Sequence, residues 1–253
     1  MKENKYDDSV FYKKYCELPR STGGLDAAGE WTALKKILPS FCNKRVLDLG
    51  CGFGWHCRYA IENNAKTVIG VDISEKMLEK AISMTKDENI TYIHKPIEKV
   101  EFNENSFDII ISSLSLHYIK NFKELMARIY KWLGENGQFI FSVEHPIFTA
   151  YGNQDWIYSE NNEILHWPVD NYFVEGKRES IFLGEKVIKY HRTITTYLKT
   201  LLEMEFKINN IIEPKPDEKN DEMKNELRRP MMLLISAIKI IKTRRSFNWM
   251  CKT

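Results

Sequence analysis

The residues best placed to do chemistry stand close together in Arg45-Val-Leu-Asp-Leu-Gly-Cys-Gly-Phe-Gly54. Glycines recur at every second position, Gly50, Gly52 and Gly54, just behind an acid, Asp48, set in a short apolar run. Glycine admits left-handed backbone angles and lets bare main chain approach a ligand. A strand, a glycine turn and a helix opening at Trp55 form the geometry that receives a nucleoside-containing ligand. Two ligand types compete for such a turn. The dinucleotide fingerprint G-x-G-x-x-G needs a third glycine where this chain has Trp55. Asp48 would also repel a pyrophosphate, whereas it suits a cation. A nicotinamide-dependent reductase is disfavoured on both counts.

The turn instead favours S-adenosylmethionine, whose ammonium and sulfonium groups are positive. Asp72 supports this reading. It closes a second apolar strand 22 residues beyond Gly50, where a carboxylate can accept two hydrogen bonds from a ribose diol. The plainer account of Asp72 is an acid resting near a helix N-terminus.

These groups need a scaffold. Five apolar runs read as strands, at 45–49, 67–72, 90–94, 106–113 and 138–144. Helical patterns follow at 55–63, at 75–84 with Ser74 as N-cap, and at 122–133. Strands apolar on both faces and alternating with helices predict an α/β, Rossmann-like fold: a doubly wound, mostly parallel sheet with helices on both faces. A helix at 193–204 and strands at 206–212 and 231–239 add an antiparallel terminal hairpin, making seven strands. The expected organisation is a single domain. It has an N-terminal helical cover (1–40), a cofactor-binding core (41–145), a lid insertion (146–190), a C-terminal helix and hairpin (191–240) and a basic tail (241–253). Within the cover, helices are expected over 6–19 and 27–38, with a loop at 20–24; the charged stretch 214–229 reads as a solvated loop.

The 253-residue chain is 43% apolar and 28% charged, ample for a packed core. A net charge of +2 argues against a nucleic-acid partner. The longest apolar run, 231–238, is too short to span a bilayer, and the first residues hold no apolar signal segment. Five scattered cysteines without a C-x-x-C pair argue against disulfides and a zinc site and fit a reducing cytoplasm. A cytoplasmic monomer or homodimer without a metal is the expectation.

Three stretches resemble motifs of class I S-adenosylmethionine-dependent methyltransferases: Val46-Leu-Asp-Leu-Gly-Cys-Gly-Phe-Gly54, Val68-Ile-Gly-Val-Asp-Ile-Ser-Glu-Lys-Met-Leu78 and Ser106-Phe-Asp-Ile-Ile-Ile-Ser-Ser-Leu-Ser-Leu-His-Tyr118. Lys131-Trp-Leu-Gly-Glu-Asn-Gly-Gln138 resembles the turn before their fifth strand. The likeness covers roughly residues 40–145 and is nearest the small-molecule (type 11, ubiquinone/menaquinone-type) group. It implies methyl transfer from S-adenosylmethionine to an O, N or C atom of a small organic acceptor, with S-adenosylhomocysteine as product. A cofactor-binding protein without turnover is the alternative. The resemblance also implies roles. Gly50, Cys51 and Gly52 would pass under the methionine moiety, with Asp48 near its ammonium. Asp72 would take the ribose, Ile73 and Met77 would lie against adenine, Ile97 and Glu98 at its edge, and Ser113 and Leu114 would face the methyl group. Pro96 departs from the Asp that the family often has there. Arg20 would pair with the methionine carboxylate.

An acceptor of high pKa needs a base, most often His or a carboxylate. His145, in Glu144-His-Pro146 at the end of the fifth strand, is the first choice and His117 the second; Glu144 and His191 are further candidates. The lid aromatics Tyr151, Trp156, Trp167 and Tyr172 are the expected acceptor pocket, the alternative being a satellite core beneath a long loop. No Asn/Asp-Pro-Pro-Tyr stretch follows the fourth strand, which weighs against methylation of a nucleic-acid base.

Overall fold

A computed structural model of the chain describes residues 4–216 and 221–240. The N-terminal cover holds three short helices, α1 (Ser9–Cys16), α2 (Pro19–Thr22) and α3 (Trp31–Ile37). The loop expected at 20–24 is largely α2, because Pro19 takes the first helical position, where its missing N–H costs nothing. The core then alternates as its apolar runs dictate: β1 (Arg45–Leu49), α4 (Trp55–Glu62), β2 (Thr67–Asp72), α5 (Glu75–Ser83), β3 (Ile90–His94), β4 (Phe107–Ser113), α6 (Phe122–Trp132) and β5 (Leu133–Glu144). α5 starts at Ser74, whose Oγ accepts the Met77 N–H over 3.2 Å. α6 buries Phe122, Leu125, Met126, Ile129 and Trp132, one stripe at helical spacing.

Residues 146–190 are more ordered than their sequence pattern suggests. They hold α7 (Pro146–Thr149) and two antiparallel hairpins, β6 (Ile157–Tyr158) with β7 (Ile164–His166) and β8 (Gly176–Phe182) with β9 (Glu185–His191). α8 (Ile194–Glu203), β10 (Phe206–Ile212) and β11 (Met232–Lys239) complete the chain's regular elements among the described residues.

The seven-stranded sheet runs β10-β11-β5-β4-β1-β2-β3. β1 to β5 pair in parallel, and β11 lies antiparallel between β5 and β10. Alternate strand residues feed two cores. Leu47, Ile110, Phe139 and Ile235 pack with α6 and α8 on one face, and Val46, Ile109, Ile140 and Leu234 pack with α3 and α4 on the other. The Rossmann-like α/β fold with its antiparallel terminal hairpin is therefore as expected. The charged stretch is not wholly solvated: a 3-10 segment covers Asp221–Arg228, and Arg229 behind it is buried. The expected basic tail at 241–253 lies outside the described residues. Among those residues no helix is long and apolar enough to cross a membrane, and no three His, Cys, Asp or Glu side chains gather as a metal site.

Candidate active site

The glycine turn sits at the carboxyl end of β1, near the middle of the sheet, where open α/β sheets bind ligands. Its first three donors are already engaged. Gly50 and Cys51 N–H both donate to Val71 O, at 2.8 and 3.0 Å, and Gly52 N–H donates to Asp72 Oδ2 at 2.8 Å. Gly50 is left-handed (φ +78°), and a Cβ there would come within 2.4 Å of Ser115 Cβ. A Cβ on Gly52 (φ +51°) would meet no atom within 4 Å, because this residue faces open space.

That space is a cavity of about 500 Å³, large enough for a nucleoside-sized ligand and a small second molecule. At one end stand Asp72, Ile73, Met77 and Ile97. Asp72 is held by the Gly52 and Ser74 N–H groups, one on each oxygen, which leaves further lone pairs for a diol. Burial raises its pKa, against the pull of those main-chain bonds. The N-terminal segment closes this end: Ser74 Oγ donates to Asp7 Oδ1 (2.6 Å), and Tyr6 and Tyr15 form part of the wall. Below the turn, Asp48 is 1% exposed, receives the Cys57 thiol at 3.4 Å on Oδ2, and has no partner on Oδ1. Burial pushes its pKa up to about 7.

Arg20 lines the cavity and donates through one nitrogen to both oxygens of Glu30, at 2.7 and 2.6 Å. Glu30 is 2% exposed and also accepts from Ser113 Oγ (3.2 Å). Next to Ser113, Leu114 has a left-handed backbone (φ +51°), rare for a non-glycine and held by its N–H bonding to Ser142.

At the other end lies a buried polar cluster. Lys189 Nζ, on a residue only 2% exposed, donates to Glu144 Oε1 (2.6 Å) and Gln154 Oε1 (2.7 Å). Gln154 Nε2 donates back to Glu144 Oε2 at 2.7 Å. Burial pushes the Glu144 carboxyl up, but His117 and Lys189 pull harder, and its pKa is lowered overall. Phe148, Ile181, Phe182 and Tyr118 supply the apolar wall.

A methyltransferase-domain family model matches residues 47–141. A solved structure from Listeria monocytogenes, attributed to the S-adenosylmethionine-dependent methyltransferases, is 54% identical, covers 86% of this chain and 100% of its own, and superposes with a TM-score of 0.83. The S-adenosylmethionine-dependent methyltransferase from Mesorhizobium loti is 41% identical over 85% of this chain and 100% of its own, with a TM-score of 0.79. The chain belongs to the S-adenosylmethionine-dependent methyltransferase family. A Haemophilus influenzae protein without a described activity is also 35% identical, over 94% of this chain and 97% of its own.

The methyltransferase cavity gathers most residues singled out in the sequence: Arg20, Gly50, Gly52, Asp72, Ile73, Met77, Pro96, Ile97, Glu98, Ser113, Leu114, His117 and Glu144 all line it. Asp48 and Cys51 do not; the Cys51 thiol turns beneath the sheet, toward the face of Gly70. Two of the expected groups lie off this cavity. His145 does not line the cavity: it caps α7 by accepting the Ile147 N–H on Nδ1, and its Nε2 lies 2.8 Å from Glu213 Oε1. Tyr151, Trp156, Trp167 and Tyr172, the expected acceptor pocket, do not line it either. Trp156 and Trp167 join Phe148 in a stack around the Arg229 guanidinium, 4.1–4.8 Å from the three rings. Tyr172 packs on His191, and Tyr151 is exposed. Among these lid aromatics Phe148 alone faces the methyltransferase cavity. Lys189, Gln154, Glu30, Tyr6 and Tyr15 were not foreseen. Lys189 carried a signal: it shares the inward face of β9 with Val187 and His191, an odd place for an unpaired lysine.

Proposed function

We propose that this chain transfers a methyl group from S-adenosylmethionine to a small organic acceptor held at the Glu144 end of the cleft. The observation that carries this reading is one continuous cavity reaching from Asp72 and Met77 to His117, Glu144 and Phe148. The residues at the first end fit the donor. Asp72 has lone pairs for the ribose, Ile73 and Met77 offer an apolar face to adenine, and Ile97 and Glu98 stand at its edge. Arg20, steadied by Glu30, has further N–H groups for a carboxylate. Asp48 brings an unpartnered, buried oxygen beneath the turn, suited to an ammonium reached directly or through water.

When bound, the sulfonium supplies an activated methyl group. The protein's share is to hold the acceptor in line, near Ser113 and Leu114, and to keep water out. The test has two parts. Calorimetry with S-adenosylhomocysteine should show saturable binding that Asp72→Ala weakens. Incubation of the chain with isotopically labelled methyl donor and a metabolite extract should produce a labelled product by mass spectrometry. Binding without any labelled product would leave a cofactor-binding protein and remove the enzyme reading.

A further inference from the structure

His117 was singled out as a base, and its hydrogen bonding argues for another use. The Glu144 main-chain N–H donates to His117 Nδ1 at 3.4 Å. A ring nitrogen that accepts a hydrogen bond keeps its lone pair, so the neutral imidazole carries its proton on Nε2. The ring is 2% exposed, lines the cavity and packs on Tyr118, centroids 4.4 Å apart. Nε2 has no partner among the described residues and is not among the sealed, unpartnered buried atoms, so it opens on the cavity. What His117 offers the acceptor is therefore an N–H.

The neighbours reinforce this. Burial holds the ring neutral, with a pKa near 4; Glu144 raises it, and Lys189, Arg192 and Arg20 lower it. Glu144 is a poor substitute base, since both its oxygens accept short bonds from Lys189 and Gln154. The phenols of Tyr6 and Tyr118, 3.2 Å apart, stay protonated because burial pushes them up. Beside the Lys189–Glu144–Gln154 cluster, His117 and Tyr118 thus present an N–H and an O–H donor next to apolar Phe148 and Phe182.

Building on the methyl-transfer reading above, we propose that His117 donates Nε2–H to an acceptor oxygen that is already anionic at neutral pH. The substrate class is a small, apolar-bodied carboxylate or acidic phenol or enol. The oxyanion's electron pair forms the bond to the methyl carbon, the carbon–sulfur pair stays on sulfur, and no proton has to leave. An oxyanion and a sulfonium give a methyl ester or ether and a neutral thioether, so charge balances without a base.

Three measurements test it. Long-range proton–nitrogen NMR of the chain should show His117 at pH 7 as the neutral Nε2–H form; the Nδ1–H form or an imidazolium would overturn the proposal. Labelled methyl donor should be offered with two pools, one of small aryl and alkyl carboxylates and acidic phenols, the other of amines and neutral alcohols. Label should enter the first pool. Label confined to the second, or in neither while S-adenosylhomocysteine still binds, overturns the oxyanion proposal and leaves the donor assignment standing; failure of S-adenosylhomocysteine to bind removes both. Finally, His117→Gln places an amide N–H where Nε2–H stood. It should keep kcat/KM within about fivefold, whereas His117→Leu should lose at least about tenfold, mainly in KM. Equal, large losses in kcat for both variants would restore the base.

Discussion

At the Asp72 end of the cleft the polar contacts run mainly from side chain to main chain, whereas at the Glu144 end they run mainly from side chain to side chain. Asp72 is held by the Gly52 and Ser74 N–H groups, and the glycine turn by the Val71 carbonyl. Glu144, Gln154 and Lys189 hold one another across separations of 10 to 45 residues. A main-chain site keeps its shape when surrounding side chains change. A side-chain cluster stands or falls as a unit, and by the same token can be reset without disturbing the Asp72 end. The cleft joins a fixed half to an adjustable one.

The contrast can be broken most forcefully at Lys189. Lys189→Met leaves the Glu144 carboxylate buried without its cation and should cost about 3–5 kcal/mol in urea unfolding at pH 7. The double variant Lys189→Met/Glu144→Leu should recover much of that loss, while S-adenosylhomocysteine affinity stays near wild type.

Asp48 gives a pH-dependent contrast. Its pKa is about 7 folded against an ordinary 3.8, so the fold favours the protonated form. The stability linked to this group is complete below pH 3.8 and is lost as pH rises through 7. Asp48→Asn, which cannot ionise, should gain on the wild type across that window, by roughly 2–3 kcal/mol more at pH 8 than at pH 5. Thermal unfolding at the two pH values without ligand checks it. The same substitution should weaken S-adenosylhomocysteine binding.

Asp72→Ala should weaken S-adenosylhomocysteine by roughly 1.5–3 kcal/mol, the worth of a hydrogen-bonded charged group, and unchanged affinity by calorimetry would sink the ribose assignment. The smallest effect belongs to the Arg229 stack. Arg229→Gln removes its cation–π contacts, at a cost of about 1–2 kcal/mol in stability, and should alter acceptor KM through Phe148 while leaving donor binding unchanged.

The two halves also differed in how far the amino-acid order revealed them. β1 to β5 and the helices between them follow from apolar runs and local punctuation, because a parallel strand buried on both faces announces itself by hydrophobicity alone. The turn was readable from the spacing of Gly50, Gly52 and Gly54 directly behind such a strand. The β8–β9 hairpin was hidden because its inward positions include Ser180, Lys189 and His191, which match one another in space and show no apolar alternation. His145 misled for a geometric reason. Successive strand residues point to opposite faces, so with Glu144 in the cleft the next side chain turns away. Trp156 and Trp167 were read as a pocket because their partner, Arg229, comes from beyond β10.

β11 has a consequence for the order in which the protein is made. It is the last strand among the described residues, yet it lies inside the sheet and pairs along both its edges with β5 and β10. Arg229, Met231 and Met232 arrive with it. During synthesis the strands and turn around Asp72 emerge early and can pair as soon as they clear the ribosome. β5 must wait with one edge open, a template for mispairing with other nascent chains, until residues 232–239 slot in beside it. The stretch of cavity wall that Met231 and Met232 supply is completed by that insertion.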